Sequence, residues 1–196
     1  MRLRNGARRF GLVAKSFHWG TAALVIPLWG LGWYMVGQTQ DLFWQYELYQ
    51  LHKSFGFVVF GLALLRLVWR LVDPAPPLPA GMGRPLRLAA HLSHLGLYAC
   101  LIGLPVTGFL MSAASPLGIP TVLFDTIPVP HPLGPSEVLY ELFRAVHYWM
   151  AMLLAALLAA HVLAALHHHL VAKDDVLLRM IPFGRPKARF PDCRNG

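Results

Sequence analysis

The chain has 196 residues, is 56% hydrophobic and only 13% charged, and has a mean hydropathy of +0.50. Soluble domains carry about 25% charged residues, and a single soluble core of this length has no use for so much apolar surface, so the composition points to a polytopic membrane protein. The net charge of +8 could suit a nucleic-acid binder, but basic residues interleaved with aromatics on a polar surface are missing, so no nucleic-acid partner is expected.

The N-terminal arm "MRLRNGARRFG" is basic, and the apolar stretch after it is full-length with no small-residue cleavage site. It reads as a retained first span rather than a signal peptide. Apolar stretches able to cross about 30 Å of hydrocarbon occur at 16–37, 51–72, 88–111 and 142–169. The Pro- and Gly-rich link "DPAPPLPAGMGRPLR" at 73–87 makes a tight polar turn. The link at 112–141 holds six prolines, from Pro116 to Pro135, and is expected to be a structured loop with at most a short helical turn. In the tail "KDDVLLRMIPFGRPKARF", apolar residues from Leu177 to Phe183 alternate with bases, which suggests that it lies along the membrane interface. Cys100 and Cys193 fall in different environments without a CxxC or CxxCH context, which argues against a disulfide, a zinc site and covalent haem. With no internal repeat, the expected fold is an all-α, integral membrane four-helix bundle over 1–180, followed by a basic tail at 181–196.

Lys and Arg set the expected orientation. The arm through Lys15 holds five, Arg66, Arg70, Arg84 and Arg87 flank the 73–87 link, and the residues after the fourth span hold six. The opposite side has only Lys53 and Arg144. By the positive-inside rule both termini and the 73–87 link are expected on the cytoplasmic side. The net charge is then mostly a topology signal, with anionic lipid headgroups as its partner.

The histidines break the apolar pattern. His147 and His161 are fourteen residues apart in the fourth span, about 21 Å of rise and within roughly 40° of one face. His52 begins the second span at the outer level of His147, and His18 lies in the first span at the inner level of His161. Two His–His pairs result, one above the other. Haem held between helices needs one axial imidazole from each and a flat apolar slot between them, so two stacked haems would form an electron path across the membrane. Gly20, Gly56, Gly103 and Gly108 would allow close backbone approach. Arg66, fourteen residues from His52, or Arg70 could meet the propionates of an inner haem, and Lys53 or Arg144 those of an outer one. His91 and His94 read as hydrogen-bonding partners rather than ligands, and His167 to His169 as an interfacial cap or more.

The segments "FHW", "LHKSFGFVVFGLALLRLVWRL", "AHLSHLGLYACLIGLPVTGFLM", "HYWMAMLLAALLAAHVLAALHHHL" and "KDDVLLRMIP" together resemble the prokaryotic cytochrome b561 family, most closely its superoxide oxidase members. The likeness covers nearly the whole chain, in order, and is weakest at 112–141. It implies a four-helix bundle with two haem b, ligated by His18 with His161 (inner) and His52 with His147 (outer). It also implies a ubiquinone site near the inner haem, where the family's histidine pair matches His168 and His169, the histidine at 167 being extra. The activity implied is oxidation of periplasmic superoxide to O₂ with reduction of ubiquinone to ubiquinol, a superoxide:quinone oxidoreductase. On that reading Lys53 and Arg144 would attract superoxide at the outer haem edge, although Asp41, Glu47, Asp125, Glu137 and Glu141 make that side acidic. The alternative is an electron-transfer cytochrome b subunit linking a periplasmic redox partner, or a dehydrogenase or hydrogenase, to the quinone pool. A haem-free transporter is a third reading, disfavoured because every Asp and Glu lies in a loop or at a span end.

Overall fold

The computed structural model describes residues 2–7, 9–37, 41–78, 83–182 and 184. Four long helices, α1 (Leu12–Val36), α2 (Leu42–Val72), α3 (Arg84–Ala114) and α4 (Glu137–Leu170), are each long and apolar enough to cross a membrane. Their starts follow local chemistry. The Asp41 carboxylate accepts the Trp44 N–H at 3.0 Å, Pro85 occupies the first turn of α3, and the Ser136 hydroxyl accepts the Leu139 N–H. Each device satisfies, or dispenses with, an N–H that has no partner in the first helical turn. The longest helix, α4, has 34 residues, about 51 Å at 1.5 Å per residue, so it extends past the hydrocarbon.

α3 packs most extensively on α4, and α2 packs on both α1 and α3. Neither α1 nor α2 lies close against α4 along its backbone. A cluster of Val25, Val59, Ala63, Cys100, Leu101 and Leu154 fills the middle of the bundle, drawing on all four helices. Large apolar side chains cover much of the outside, which suits a bundle whose surroundings are lipid rather than water.

The 112–141 segment departs from expectation. It contains an antiparallel hairpin of β1 (Thr121–Leu123) and β2 (Ile127–Val129), with Thr121 opposite Val129, where a structured loop with at most a short helical turn was expected. Phe124 and Asp125 turn the corner with φ of 48° and 54°. The hairpin owes its shape to α2. Gln50 donates from Nε2 to the Pro120 carbonyl at 2.9 Å and accepts the Val122 N–H at 3.2 Å. Ser54 Oγ accepts the Phe124 N–H at 2.9 Å. One side-chain amide thus stands in for a neighbouring strand, and Pro128, which has no N–H, lies on the second strand.

The other end of the bundle gathers the N-terminal arm and the segment that follows α4. Asn5 donates its backbone N–H to Asp73 Oδ2 at 2.9 Å, Lys15 Nζ donates to the Ile181 carbonyl at 2.8 Å, and Trp19 Nε1 to the Met180 carbonyl at 3.0 Å. A short helix α5 (Val176–Met180) is held there, and its Arg179 reaches the Pro77 carbonyl at 3.0 Å. The N-terminal arm, the α2–α3 link and the segment after α4 are therefore tied together at one terminal end, opposite the hairpin end. Phe183, Cys193 and the four bases from Arg185 onward lie outside the described residues, as does most of the tail expected at 181–196.

Candidate functional site

The helices bring the four central histidines together as two pairs. His18 of α1 and His161 of α4 have ring centroids 6.1 Å apart. His52 of α2 and His147 of α4 stand 6.4 Å apart. Both pairs bridge α4 to a helix from which its backbone stands off, so each spans a gap. Two metal–imidazole bonds of about 2 Å plus about 1 Å from each bonding nitrogen to its ring centre sum to roughly 6 Å, so either pair fits one metal held between two imidazoles. Among the described residues no group of three or more His, Cys, Asp or Glu could hold an ion. The fit is thus to paired imidazoles with the remaining metal positions filled by something other than protein, as a macrocycle does. Leu154 and the apolar cluster separate the two levels.

At the hairpin end, the rings are set from behind. His147 Nδ1 lies 3.0 Å from the Leu104 carbonyl and 3.2 Å from Thr107 Oγ1. A carbonyl only accepts, so Nδ1 carries the proton and Nε2 keeps its lone pair. A Cβ at Gly108 would stand 3.0 Å from His147 Cε1, and one at Gly32 would stand 3.1 Å from His52 Cε1. These glycines seat the two rings. Gly108 was among those singled out from the sequence and Gly32 was not, because nothing local distinguishes it. Of the others, Gly103 is pressed on the flexible end of Met150, while a Cβ at Gly20 or Gly56 would meet no protein atom. His52 Nδ1 is buried without a well-formed hydrogen bond, with the Leu28 backbone the polar group that reaches the ring.

At the terminal end, His18, His161, His94, Arg66 and Tyr98 line a cleft that runs down to Leu154. Arg66 lies on the His18 level as its spacing from His52 predicts, with a guanidinium nitrogen 3.2 Å from His18 Nδ1 and its centre 5.4 Å from the Tyr98 ring centroid. Arg70, one turn on, does not line the cleft. The two histidines of α3 divide. His91 Nδ1 donates back to the Arg87 carbonyl at 2.7 Å, while His94 leans on His161 with centroids 5.6 Å apart. Sequence reasoning undervalued His94. Its signal was its place at the inner level on the helix that packs hardest against α4.

The remaining candidates sit apart from these pairs. Lys53 Nζ donates to the Pro120 carbonyl at 3.2 Å, and Arg144 is exposed and ion-paired with Glu141. His168 is buried, with Nδ1 2.5 Å from Asp174 Oδ2, while His167 and His169 are exposed. Near the hairpin, His131 Nε2 lies 3.0 Å from the fully buried Thr121 hydroxyl. Burial first, and the Lys53 charge second, push the His131 pKa down.

Comparison with known proteins supplies what geometry alone leaves open. Residues 9–183 match the family model described as prokaryotic cytochrome b561. The chain belongs to that family. It is 34% identical over 182 residues to "Cytochrome b561 homolog 2" of Escherichia coli (strain K12), covering 92% of this chain and 95% of that one. It is 31% identical to "Cytochrome b561 homolog 1" of the same organism, over 89% of this chain and 97% of that one. A third relative, from Yersinia pestis and named "Probable superoxide oxidase CybB", is 27% identical with the same two coverages. This cytochrome b561 family member is therefore a bacterial membrane electron-transfer protein, and its family implies b-type haem. The expected family and all-α bundle both stand.

Proposed function

We propose that the protein binds two haem b and passes electrons across the bacterial inner membrane, oxidising superoxide on one side and reducing ubiquinone on the other. The observation that carries this reading is the pair of imidazole bridges, at 6.1 and 6.4 Å, set about 21 Å apart along α4. His18 and His161 would hold the haem at the terminal end, and His52 and His147 the one at the hairpin end. The excess of Lys and Arg at the terminal end makes that end cytoplasmic. Bound there, haem supplies one-electron chemistry with no open metal position for O₂.

The chain's own residues do the rest. Gly32 and Gly108 seat the outer rings, and the Leu104 carbonyl fixes the His147 tautomer. Arg66 lines the inner cleft and would meet the carboxylates of a haem held there. His168, oriented by Asp174, and exposed His169 would meet the quinone headgroup. Two superoxide anions each lose one electron and leave as O₂, while quinone takes up two electrons and two protons to become quinol. Lys53 is the outer charge able to draw the anion in, because Arg144 is already neutralised by Glu141. That ion pair also favours the second reading, an electron-transfer subunit that receives electrons from a partner redox protein.

The test uses proteoliposomes loaded with ubiquinone and supplied with a steady flux of superoxide. One quinol per two superoxide consumed, with O₂ released, supports the oxidase. Quinone reduction no faster than in protein-free vesicles sinks it and leaves the subunit reading.

A further inference from the structure

We propose that His94 is a positioning residue for the terminal-end site: packed edge-on against His161, it fixes the plane of that ring and so tunes the site without touching iron. The inference rests on the reading of both pairs as axial ligands.

Helix α3 supplies neither ring of a pair, yet it sets a ring of α4 at both levels. At the hairpin end it uses the Leu104 carbonyl, 3.0 Å from His147 Nδ1, and Gly108, which leaves room for the ring. At the terminal end no hydrogen bond to His161 is found among the described residues. Its ring contacts are with His18 and His94. His18 is the partner across the gap, so the orienting contact is His94. The His94 and His161 centroids are 5.6 Å apart with the rings at 64°, close to the edge-to-face arrangement that aromatic rings favour.

The contact is built into the helix interface. Gly96 lies two residues past His94, and Leu157 one turn before His161. A Cβ at Gly96 would stand 2.8 Å from Leu157 Cδ1, so the missing side chain brings α3 close to α4 beside the pair. His94 is half-buried there and lines the cleft with Arg66 and Tyr98. In a helix, its side chain has few rotamers open to it.

The plane of an axial imidazole matters electronically. Each ring donates π density into the iron d orbital that lies perpendicular to its own plane. Parallel rings therefore separate two orbitals in energy, and rings near a right angle leave them nearly equal. The His18 and His161 rings stand 52° apart. A turn of His161 would change that separation, and with it the potential of the site, a lever that neighbours exert through a ligand.

Electron paramagnetic resonance of the haem-loaded chain, frozen in mild detergent, provides the test. His94→Phe keeps a ring edge without an N–H, and His94→Gln keeps a polar donor without a ring. The phenylalanine variant should retain the low-spin signal of the terminal-end haem. The glutamine variant should broaden that signal and shift its largest g value. It should also release this haem to excess apomyoglobin about 2- to 12-fold faster, the equivalent of one edge-to-face ring pair. The hairpin-end signal should stay unchanged in both and reports that the fold is intact. Loss of the terminal-end haem in His94→Phe would make His94 a ligand, and a shift in His94→Phe alone would make it a carboxylate partner. Either result overturns the proposal, as does a signal that moves in both variants or in neither, or a shift that the hairpin-end signal shares. Wild-type protein with fewer than two bis-imidazole signals would instead remove the ligand reading, and this inference with it.

Discussion

Replacing Gly108 with alanine should weaken haem binding at the hairpin end while leaving the fold almost as stable as before. The new Cβ would stand 3.0 Å from His147 Cε1 and 3.2 Å from Nδ1. Carbon atoms rest at about 3.5–4.0 Å, so the ring must yield by half an ångström or more. It has little freedom to do so, being tied at Nδ1 to the Leu104 carbonyl of the same α3, in the most extensive helix interface of the bundle. Overpacking of this kind costs about 1–3 kcal/mol, which corresponds to about a 5- to 150-fold loss of affinity. Alanine in a helix regains about 1 kcal/mol over glycine, and that gain acts on the fold whether or not haem is bound. Thermal unfolding of the haem-free chain should therefore move little, while haem titration of the His18→Ala background should show the weaker site. Gly30→Ala, where a Cβ meets nothing, is the control and should keep full affinity. Unchanged affinity in Gly108→Ala would refute the claim that this glycine seats a ligand ring.

Gln50→Ala removes two hydrogen bonds from a buried position at about 1–3 kcal/mol; amide exchange at Val122 should accelerate about tenfold or more, and an unchanged rate would mean that the hairpin stands without α2. Acidification should loosen the same hairpin through His131. Its folded pKa is lowered, so the unfolded chain binds the proton more readily; the stabilisation is complete above the ordinary value of about 6.5 and is lost as pH falls through the folded pKa. Hairpin amide protection that stays flat from about pH 7 to pH 4 would contradict this. Lys53→Ala should lower the superoxide-driven rate at low salt, whereas Arg144→Ala should hardly change it, because Glu141 already neutralises that charge; equal effects would show that the ion pair does not matter. His168→Ala should raise the KM for quinone with haem spectra unaltered, and Asp174→Asn should do so more weakly; loss of haem in either would give His168 a different role.

The histidine pairing was legible because an α-helix carries its own ruler. Fourteen residues separate His147 from His161, and the same spacing places Arg66 at the level of His18, so face and depth follow from rise and turn alone. The hairpin was not legible, because its strands are three residues each and their geometry comes from Gln50 and Ser54, about seventy positions earlier. Pro-rich sequence carries no trace of such a distant partner. The start of α2 lay nine residues before the apolar stretch for a related reason. Residues 42–50 are helical through the Asp41 cap and their packing on the loop, while a search for lipid-facing sequence reads only hydropathy. His91 and His94 looked alike at three residues apart, and only the packing of α3 on α4 turned one back to its own backbone and the other onto His161. The Glu141 partner of Arg144 could have been read from the i, i+3 spacing.

The central claim, two axial histidine pairs in one chain, is tested most directly by counting b-type haem per polypeptide in reduced-minus-oxidised spectra. The account predicts two in the wild type, with one lost in His52→Ala, the other in His18→Ala, and the two residual spectra different from each other. One haem per chain, indifferent to both substitutions, would contradict it.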